Sequence, residues 1–420
     1  MSQQTTADKV CVVIGASHGG VNFAFALRRE GWEGSIIIYD SDPELPYHRP
    51  PLSKAYLASD DSLDQHLLRS AASYEKENIK LRLGVKVEKI ERSAKAVILN
   101  NTKQQRYDKL VLATGARPLL PPIEGIEANA KVLYLRNASD AAGIRAALAA
   151  SKQKNVAVIG GGYIGLEAAA SLNKLGASIT LFECEDRLLS RVTAPAVSDF
   201  FHKLHTQKGV NILTNKRVDA IRSADETQTI VCNDGTQYLA DFVVIGVGIR
   251  LNLELALAAK LETGDGIIVN PQAQTNDSDI YAIGDCTYHY NPHYDRHMRL
   301  ESVQNAVDQG KIAAQNIMGK AVAYDALPWF WSDQYDIKLQ MVGLSQGYDE
   351  VLVRREANAD SSFSVWYFKG TQLLAVDAIN FAKAYVLGTR FIKAGTQVDK
   401  AKLVDPSEAF KPQNLALSEA

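Results

Sequence analysis

The stretch of residues 155–183 constrains the fold more than any other part of this 420-residue sequence. An apolar run leads into a glycine-rich turn, an Ala-rich segment follows, and a second apolar run ends at Glu183. The turn glycines are Gly160, Gly162 and Gly165. This order predicts strand, tight turn, helix and strand, in which a pyrophosphate approaches the turn backbone at the helix N-terminus. An acid at the position of Glu183 can bond a ribose hydroxyl, so we predict a dinucleotide site.

The N-terminus repeats this order. A buried strand over 10–14 leads into a turn, a helix over 21–29 and a second strand over 35–39 that ends at Asp40. The turn covers residues 15–20, and Gly15, Ser17, His18 and Gly19 lie in it. Ser17 occupies the second glycine position, where it puts a small side chain close to the expected phosphate. Two such units in one chain imply two adenine cofactors, or one cofactor and one substrate.

The first turn also has the spacing G-x-S-x-G, which is typical of the nucleophile elbow of α/β-hydrolases. Asp285 and His289 follow Ser17 in the order Ser, Asp, His that those enzymes use. A hydrolase would leave the second glycine fingerprint unexplained and would place its acid and histidine almost adjacent in sequence. We keep it as the remote alternative.

The composition is that of a globular protein, with 46% hydrophobic and 22% charged residues and a net charge of −2. No charge excess indicates nucleic acid binding, and no apolar run approaches the length of a membrane span. Residues 1–9 are polar and lack the apolar core of a signal peptide, so we predict a cytoplasmic protein. The four cysteines form no C-x-x-C pair, which argues against a redox dithiol or a metal site. Cys11 and Cys184 are expected to be small core residues.

Three further segments share a pattern in which a buried strand ends at glycine. They cover residues 107–118, 240–248 and 280–285. In the first two an acid leads into the strand, and each follows one of the two nucleotide-binding units. We interpret the strands in 107–118 and 240–248 as those by which the chain leaves one nucleotide domain and enters the next.

These signals together resemble the flavoprotein reductases with two dinucleotide-binding domains. Motifs at 46–54, 299–306 and 328–335 are similar to those of NADH-dependent ferredoxin reductases of bacterial oxygenase systems. The resemblance covers nearly the whole chain and thins after Phe381. It implies an α/β fold of the glutathione-reductase type, with two Rossmann-like domains and a C-terminal α+β cap that contains an antiparallel sheet. The implied domains are a discontinuous FAD domain (1–117 and 247–325), an NAD domain (118–246) and a C-terminal domain (326–420).

The resemblance implies FAD as the bound cofactor. The implied FAD-binding residues are Gly15, Ser17, His18, Gly19, Asp40, Ser41, Lys54, Val87, Ala113, Thr114, Gly115, Arg136, Gly284, Asp285 and Val303. Spacing favours Asp40 as the acid that bonds the adenosine ribose, whereas relatives most often have their acid near Ser41, and Asp42 is one residue further. The sequence leaves the choice among these three open.

NADH is the implied electron donor. The residues predicted to bind it are Gly160, Gly162, Tyr163, Ile164, Glu183, Arg191 and Gly248. The charge of Glu183 should repel the 2′-phosphate of NADPH, so we expect NADH to be preferred. Arg187 and Arg191 complicate this expectation because arginine can accommodate that phosphate. In relatives with an arginine at 191 the donor is generally NADH, and we interpret Arg191 as a pyrophosphate or ribose contact.

The implied catalytic residues are Lys54, Glu167 and Trp331. In the family, a lysine at the flavin N5 edge is paired with a glutamate after the NAD fingerprint, and its charge stabilises negative charge on the flavin. The alternatives are a solvated loop lysine for Lys54 and a helix N-terminal acid, stabilised by the dipole, for Glu167. Trp331 is expected at the flavin edge where the partner docks, and Trp329 and Phe330 are expected in the core.

The implied partner is a [2Fe-2S] ferredoxin that supplies a cytochrome P450 or a ring-hydroxylating oxygenase. Arg69 and Lys311 are candidate docking residues on a chain expected to be a monomer or weak dimer. One alternative is an NADH oxidase or peroxide reductase, which would need a reactive cysteine that residues 41–60 lack. Another is a flavoprotein like apoptosis-inducing factor, which would need a basic DNA-binding surface.

Overall fold

The computed structural model describes residues 7–100, 102–127, 129–224, 227–356 and 361–417. The sequence prediction that no signal peptide is present concerns residues 1–9, of which 1–6 lie outside this part. The chain divides into two compact units. The first contains Met1–Arg49, Ser62–Arg117 and Ile249–Pro328, and the second contains Pro50–Asp61, Pro118–Gly248 and Trp329–Ala420. This division groups residues 50–61 and the C-terminal sheet with the NAD fingerprint, and the three-domain arrangement stays a prediction.

The first unit is built on a five-stranded parallel sheet. In spatial order its strands are Ile280–Ala282, Lys109–Leu112, Val10–Ile14, Ser35–Tyr39 and Ile79–Arg82. The central strands are rich in β-branched residues and buried on both faces, as parallel strands covered by helices must be. The helices of this unit are His18–Arg29, Ala71–Lys76, Glu254–Ala258 and Val303–Ile317.

Two smaller sheets, one antiparallel and one mixed, and several short elements complete the first unit. One sheet contains Val87–Glu91, Ala96–Leu99 and Lys103–Arg106. A four-stranded sheet contains Thr263–Gly264, Gly266–Val269, Thr287–Asn291 and Arg296–Met298. Short 3₁₀ turns cover Leu63–His66 and Gly284–Cys286, and short strands cover Ala116–Pro118 and Ile249–Leu251.

The second unit also contains a five-stranded parallel sheet. Its strands are Asn211–Leu213, Ser178–Phe182, Asn155–Ile159, Phe242–Ile245 and Val132–Tyr134. A three-stranded antiparallel sheet contains Val218–Ala224, Thr227–Cys232 and Gln237–Ala240. The helices of this part are Ala55–Ala58, Ala138–Ala150, Tyr163–Lys174 and Pro195–Gln207, and a 3₁₀ turn covers Pro50–Ser53.

The C-terminal part of the second unit is a five-stranded antiparallel sheet. Its strands are Trp329–Gln334, Ile337–Gly343, Gln372–Ile379, Phe363–Lys369 and Glu350–Arg355. Helices Ala382–Ala394, Lys400–Val404 and Pro412–Leu415 follow. Large aromatic side chains, among them Phe363, Trp366 and Phe391, are fully buried here. The predicted fold class, two Rossmann-like halves and a C-terminal antiparallel sheet, is confirmed.

Two expectations about individual side chains are wrong. Trp329 was expected in the core, but it begins the edge strand of the C-terminal sheet and is 37% exposed. Cys184 follows a buried strand but is itself exposed. In the described part of the chain, no helix is both long and apolar enough to cross a membrane.

The C-terminal sheet buries one carboxyl group. Asp377 Oδ2 accepts a hydrogen bond from the Tyr367 hydroxyl at 2.5 Å, and that hydroxyl accepts one from Ala194 N at 2.9 Å. Burial, and after it the negative charge of ionised Asp377, raises the pKa of the nearby Tyr163 hydroxyl. Burial raises the pKa of Asp377 to about 7, against a smaller opposite effect of the Tyr367 hydrogen bond.

The raised pKa of Asp377 gives a pH-dependent stability. Between pH 4 and pH 7 the folded chain holds a proton on this group that the unfolded chain has lost, so its contribution to the free energy of unfolding falls by about 1.4 kcal/mol per pH unit. We expect Asp377→Asn to melt at a higher temperature than the unmodified protein at pH 8 and at the same temperature at pH 4. A melting difference that does not change with pH would contradict this.

Candidate functional site

The two glycine turns pack in the same way. A Cβ atom at Gly165 would clash with the carbonyl oxygen of Gly160, and one at Gly20 would clash with that of Gly15. Only glycine therefore lets each helix start directly against its own turn. The structural equivalent of Gly165 in the first unit is thus Gly20, which ends the predicted turn but is not among the residues predicted to bind FAD.

Both helices begin with no side chain capping them. Gly162 is the N-cap of Tyr163–Lys174, and no heavy atom lies within 4 Å of a Cβ built on it. Ser17 is the N-cap of His18–Arg29, and its hydroxyl makes no capping hydrogen bond. The first N–H groups of such a helix favour an anion, and the open space at Gly162 admits one. These residues fit the pyrophosphates of a dinucleotide in each unit.

Equivalent acids hold the two turns. Asp40 Oδ2 accepts from Ala16 N at 2.5 Å, and its Oδ1 accepts from Asp42 N at 2.8 Å. Glu183 makes the same pair of bonds, with Oε2 accepting from Gly161 N at 2.6 Å and Oε1 from the backbone N of residue 185 at 2.8 Å. Each carboxylate keeps lone pairs for a further donor such as a ribose hydroxyl.

A depression beside Asp40 is lined by Ala16, Asp40, Asp42, Glu44, Pro46, Tyr47 and Arg49. Asp42 Oδ2 accepts from the Tyr47 hydroxyl at 2.7 Å and lies 4.0 Å from the Arg49 guanidinium. Ser41 is exposed and is not among the lining residues. Of the three ribose candidates, Asp40 and Asp42 therefore face the same space.

The two arginines after Glu183 differ in their surroundings. Arg187 donates to the carbonyl oxygens of Thr193 and Ser190 at 2.9 and 2.7 Å, and to Ser198 Oγ at 2.6 Å. Its guanidinium holds the loop together. Arg191 is exposed on the same loop.

Lys54 and Glu167 form an ion pair with 2.5 Å between Nζ and Oε2. Their side chains are 19% and 2% exposed, so Lys54 is not a solvated loop lysine. Ser53 Oγ also donates to Glu167 Oε2, and Ser332 Oγ donates to Oε1, each at 2.6 Å. Ser171, one turn further along the helix, donates to the Ser53 carbonyl oxygen at 2.7 Å. Glu167 is thus held by three side-chain donors, well beyond what the helix dipole alone would give.

The remaining predicted residues of the first unit lie at strand ends and turns. Ala113, Thr114 and Gly115 follow the strand Lys109–Leu112, and Thr114 Oγ1 donates to the Asn252 carbonyl oxygen at 2.9 Å. Gly284 N donates to Gln309 Oε1 at 2.7 Å. Asp285 follows Gly284 within the 3₁₀ turn, Val303 is the first residue of the helix Val303–Ile317, and Val87 begins a strand.

The other predicted residues lie in the second unit. Arg136 N donates to Asp140 Oδ2 at 2.8 Å, next to the start of Ala138–Ala150. Gly248 has a left-handed backbone with φ of 131°, and Ile164 is 44% exposed on the first turn of its helix. The Tyr163 hydroxyl donates to Met341 Sδ at 2.8 Å, and its ring lies 5.2 Å from that of Phe330. The ring of Trp331 lies 5.5 Å from that of Trp329.

The hydrolase alternative is contradicted by the surroundings of His289. Gln309 Oε1 accepts from both Gly284 N and Thr287 Oγ1, so its Nε2 is the group that donates to His289 Nδ1, at 3.1 Å. A catalytic triad needs Nδ1 to donate to a carboxylate. Burial also lowers the pKa of His289 to about 4.

Sequence reasoning did not predict the roles of Ser53, Ser332 and Gln309, or the contacts of Tyr47 and Arg49 with Asp42. Ser53, Ser332 and Gln309 each bond to a residue more than twenty positions away, which a local pattern does not reveal. Asp42, Tyr47 and Arg49 are close in sequence, so their spacing was a usable signal. The period of two along Trp329–Gln334 predicts that Ser332 and Gln334 share a face, but not what they meet.

Comparison with known proteins gives consistent relatives. Residues 9–310 match the family model described as pyridine nucleotide-disulphide oxidoreductase, and residues 329–413 match the model described as reductase C-terminal. The chain is 42% identical to putidaredoxin reductase of Pseudomonas putida, over 95% of each protein. It is 40% identical to the ferredoxin–NAD(+) reductase component of the anthranilate 1,2-dioxygenase system of Burkholderia cepacia, over 95% of this chain and 98% of that protein.

Solved structures agree with these relatives. The covalent complex of putidaredoxin reductase with putidaredoxin matches with a TM-score of 0.91 and 41% identity, covering 96% of this chain and 97% of that one. The resemblance drawn from the sequence is confirmed, and with it the prediction of an FAD- and NADH-dependent oxidoreductase. The chain belongs to the pyridine nucleotide-disulphide oxidoreductase family and, within it, to the ferredoxin reductases.

Proposed function

We propose that the chain transfers electrons from NADH, through bound FAD, to a [2Fe-2S] ferredoxin that supplies an oxygenase. One observation supports this proposal most: the chain contains two glycine turns whose helices have no side-chain cap, and also the buried Lys54–Glu167 ion pair. One NADH yields NAD⁺, a proton and two electrons, which reduce two ferredoxins by one electron each. The flavin supplies the step from two-electron to one-electron transfer.

The second glycine turn would hold the NADH pyrophosphate. The backbone at Gly162 lies in open space at a helix N-terminus, and Glu183 has lone pairs left for the adenosine ribose. Arg187 is committed to its own loop, so Arg191 is the arginine available to the cofactor. These contacts support a preference for NADH.

The first glycine turn would hold the FAD pyrophosphate. We infer that the adenosine part lies in the depression lined by Asp40 and Asp42, where carboxylate oxygens can accept from ribose hydroxyls. Gly284 and Asp285 would take the ribityl chain, with the backbone of Gly284 fixed by Gln309.

Lys54 would act as a fixed positive charge beside the N5 edge of the flavin. Glu167 Oε2 accepts from both the Lys54 ammonium and the Ser53 hydroxyl, so the ammonium would be held in place before any substrate binds. A charge that needs no reorganisation during the reaction stabilises developing negative charge most effectively.

The cofactor preference can be tested at Glu183. Glu183→Gln keeps an acceptor for one of the two turn amides and removes the charge that repels a 2′-phosphate. The ratio of kcat/KM for NADH to that for NADPH should fall about tenfold, which corresponds to about 1.4 kcal/mol. Glu185→Gln, which removes an exposed charge two residues away, should leave the ratio unchanged. Equal use of both cofactors by the unmodified protein would contradict the proposal.

Ferredoxin docking is proposed through a local basic surface that includes Arg69 and Lys311. Both are exposed, and the Lys311 ammonium lies 3.2 Å from Asp308 Oδ1. Shuttle ferredoxins are usually acidic, and a rim charge mainly sets the encounter rate and its salt dependence. Trp331 is proposed to lie where the partner docks.

Reversal of the charge at Lys311 tests this surface. Lys311→Glu should raise the KM for ferredoxin about tenfold at low ionic strength and flatten its salt dependence. Reduction of ferricyanide, which needs no docking surface, should change little. Lys103→Glu reverses another exposed lysine of the same unit and should leave both acceptors unaffected. Equal losses with both acceptors in Lys311→Glu would mean that this residue acts on the flavin.

The oxidase and peroxide reductase alternatives have no structural support. Three of the four cysteines are buried, and the exposed one, Cys184, follows the acid of the NAD fingerprint. Cytoplasmic location and a monomeric or weakly dimeric state stay predictions.

A further inference from the structure

A buried row of polar side chains leads away from the Lys54–Glu167 pair within the second unit. Ser332 Oγ lies 2.6 Å from Glu167 Oε1, and Gln334 Nε2 lies 3.2 Å from Ser332 Oγ. Gln334 Oε1 in turn lies 2.8 Å from His205 Nε2. Glu167, Ser332, Gln334 and His205 are each at most 2% exposed. The row therefore joins the helix Pro195–Gln207 to the ion pair through the first strand of the C-terminal sheet.

The strand geometry explains how two members come to lie in line. Side chains two residues apart in a strand point to the same face, so Ser332 and Gln334 face inward. Asp333 between them points the other way and is partly exposed.

The carboxylate fixes the direction of every bond in the row. Ionised Glu167 can only accept, so the single hydroxyl hydrogen of Ser332 must point toward it. Ser332 can then only accept from Gln334, which makes Nε2 the donor and leaves Oε1 facing His205. His205 must therefore donate from Nε2, and its Nδ1 carries a lone pair, in agreement with the lack of any hydrogen-bond partner for that atom in the described residues. Burial lowers the pKa of His205 to about 4, so the ring is neutral as this arrangement requires.

All three bonds thus point their positive ends toward one carboxylate oxygen. Aligned hydrogen bonds polarise one another, and a buried carboxylate with both oxygens satisfied has little freedom to rotate. We propose that Ser332, Gln334 and His205 are positioning residues, which hold Glu167 Oε1 so that Oε2 stays directed at the Lys54 ammonium. In this way the C-terminal sheet sets the position of the charge that acts in flavin reduction, a consequence that rests on the proposed function.

The labelling rate of the Lys54 amine tests, without NADH, whether its side chain is held in place. The FAD-loaded protein is treated with an amine-reactive reagent, and the labelling rate of Lys54 is measured by peptide mass spectrometry. Ser332→Ala and Gln334→Met should each raise the labelling rate of Lys54 several-fold, with the exposed Lys393 as an internal reference in the same unit. Asp333→Ala, on the opposite face of the strand, should not, and Ser332→Thr, which keeps the hydroxyl, should behave like the unmodified protein. An unchanged Lys54 rate in Ser332→Ala, or an equal rise in Asp333→Ala, would overturn the inference.

Kinetics then separate positioning from mere stability. In anaerobic stopped-flow, Ser332→Ala should lower the limiting rate of flavin reduction about five- to tenfold and leave the Kd for NADH unchanged. In a Glu167→Gln background the same substitution should have little further effect, because Ser332 acts through that carboxylate. A purely additive loss, or a loss that follows only the melting temperature, would contradict the inference. Failure of NADH to reduce the flavin of the unmodified protein would instead refute the proposed function, and the labelling result would still decide the positioning role.

Discussion

Lys54→Met should slow the reduction of the bound flavin by NADH about 100-fold, the loss that follows removal of one preorganised electrostatic group from an active site. The substitution keeps the length and packing of the side chain but removes the only charge that pairs with Glu167 among the described contacts. FAD should remain bound, because Lys54 is not proposed to hold its phosphates. The measurement is the limiting rate at saturating NADH in anaerobic stopped-flow.

The controls for this variant follow from the burial of Glu167. Loss of Lys54 leaves a carboxylate that is 2% exposed with only the hydroxyls of Ser53 and Ser332, which destabilises the protein by several kcal/mol. The double variant Lys54→Met with Glu167→Gln removes that unpaired charge and should recover thermal stability without recovering the rate. Lys54→Arg keeps the charge and should recover part of the rate. Unchanged reduction kinetics in Lys54→Met would show that the ammonium does not act on the flavin.

Gly162→Val should weaken NADH binding about 100-fold, because a branched side chain at the second fingerprint glycine occupies the space into which the pyrophosphate must come. The structure offers no other reason for a defect, since a Cβ there meets no heavy atom within 4 Å and the backbone is extended, with φ of −80°. Folding and FAD content should therefore be preserved. Gly162→Ala should have a smaller effect, because Ser17 shows that a small side chain is accommodated at the equivalent position of the first unit.

The matched control for this prediction is Gly143→Ala. Gly143 is exposed in the helix Ala138–Ala150, and a Cβ there also meets nothing within 4 Å. This substitution should leave the Kd for NADH unchanged and raise stability by about 1 kcal/mol, as expected for glycine to alanine in a helix. NADH binding by Gly162→Val that matches the unmodified protein would place the pyrophosphate elsewhere.

The parallel strands were predictable because local sequence determines them. Val10–Ile14, Ser35–Tyr39 and Ser178–Phe182 begin and end where the apolar runs do. The helix of the first unit starts at His18, three residues earlier than predicted, and the helix of the second unit starts at Tyr163, inside its glycine turn. Glycine lowers helix propensity, but close packing of the helix on its turn requires glycine inside the first helical turn, and that packing overrides the propensity.

The surroundings of Glu167 could not be predicted in the same way. The resemblance supplied its pairing with Lys54, but Ser53 and Ser332 lie 114 and 165 residues from it along the chain. No periodic pattern links such distant positions, and their meeting depends on how the C-terminal strand packs on the fingerprint helix. The exposure of Trp329 could not be predicted either, because an aromatic run does not reveal which of its side chains an edge strand exposes.

One anaerobic experiment decides whether NADH reduces the bound flavin and whether the flavin then reduces a ferredoxin. Purified protein is mixed with NADH in stopped-flow, and a [2Fe-2S] ferredoxin such as putidaredoxin is added to the product while flavin and iron–sulfur absorbance are recorded. We expect a yellow protein whose flavin absorbance band is bleached by NADH and returns as two ferredoxins are reduced for each NADH. A purified protein without flavin, a flavin that NADH does not reduce, or a reduced flavin that passes electrons to dioxygen but not to ferredoxin would contradict it.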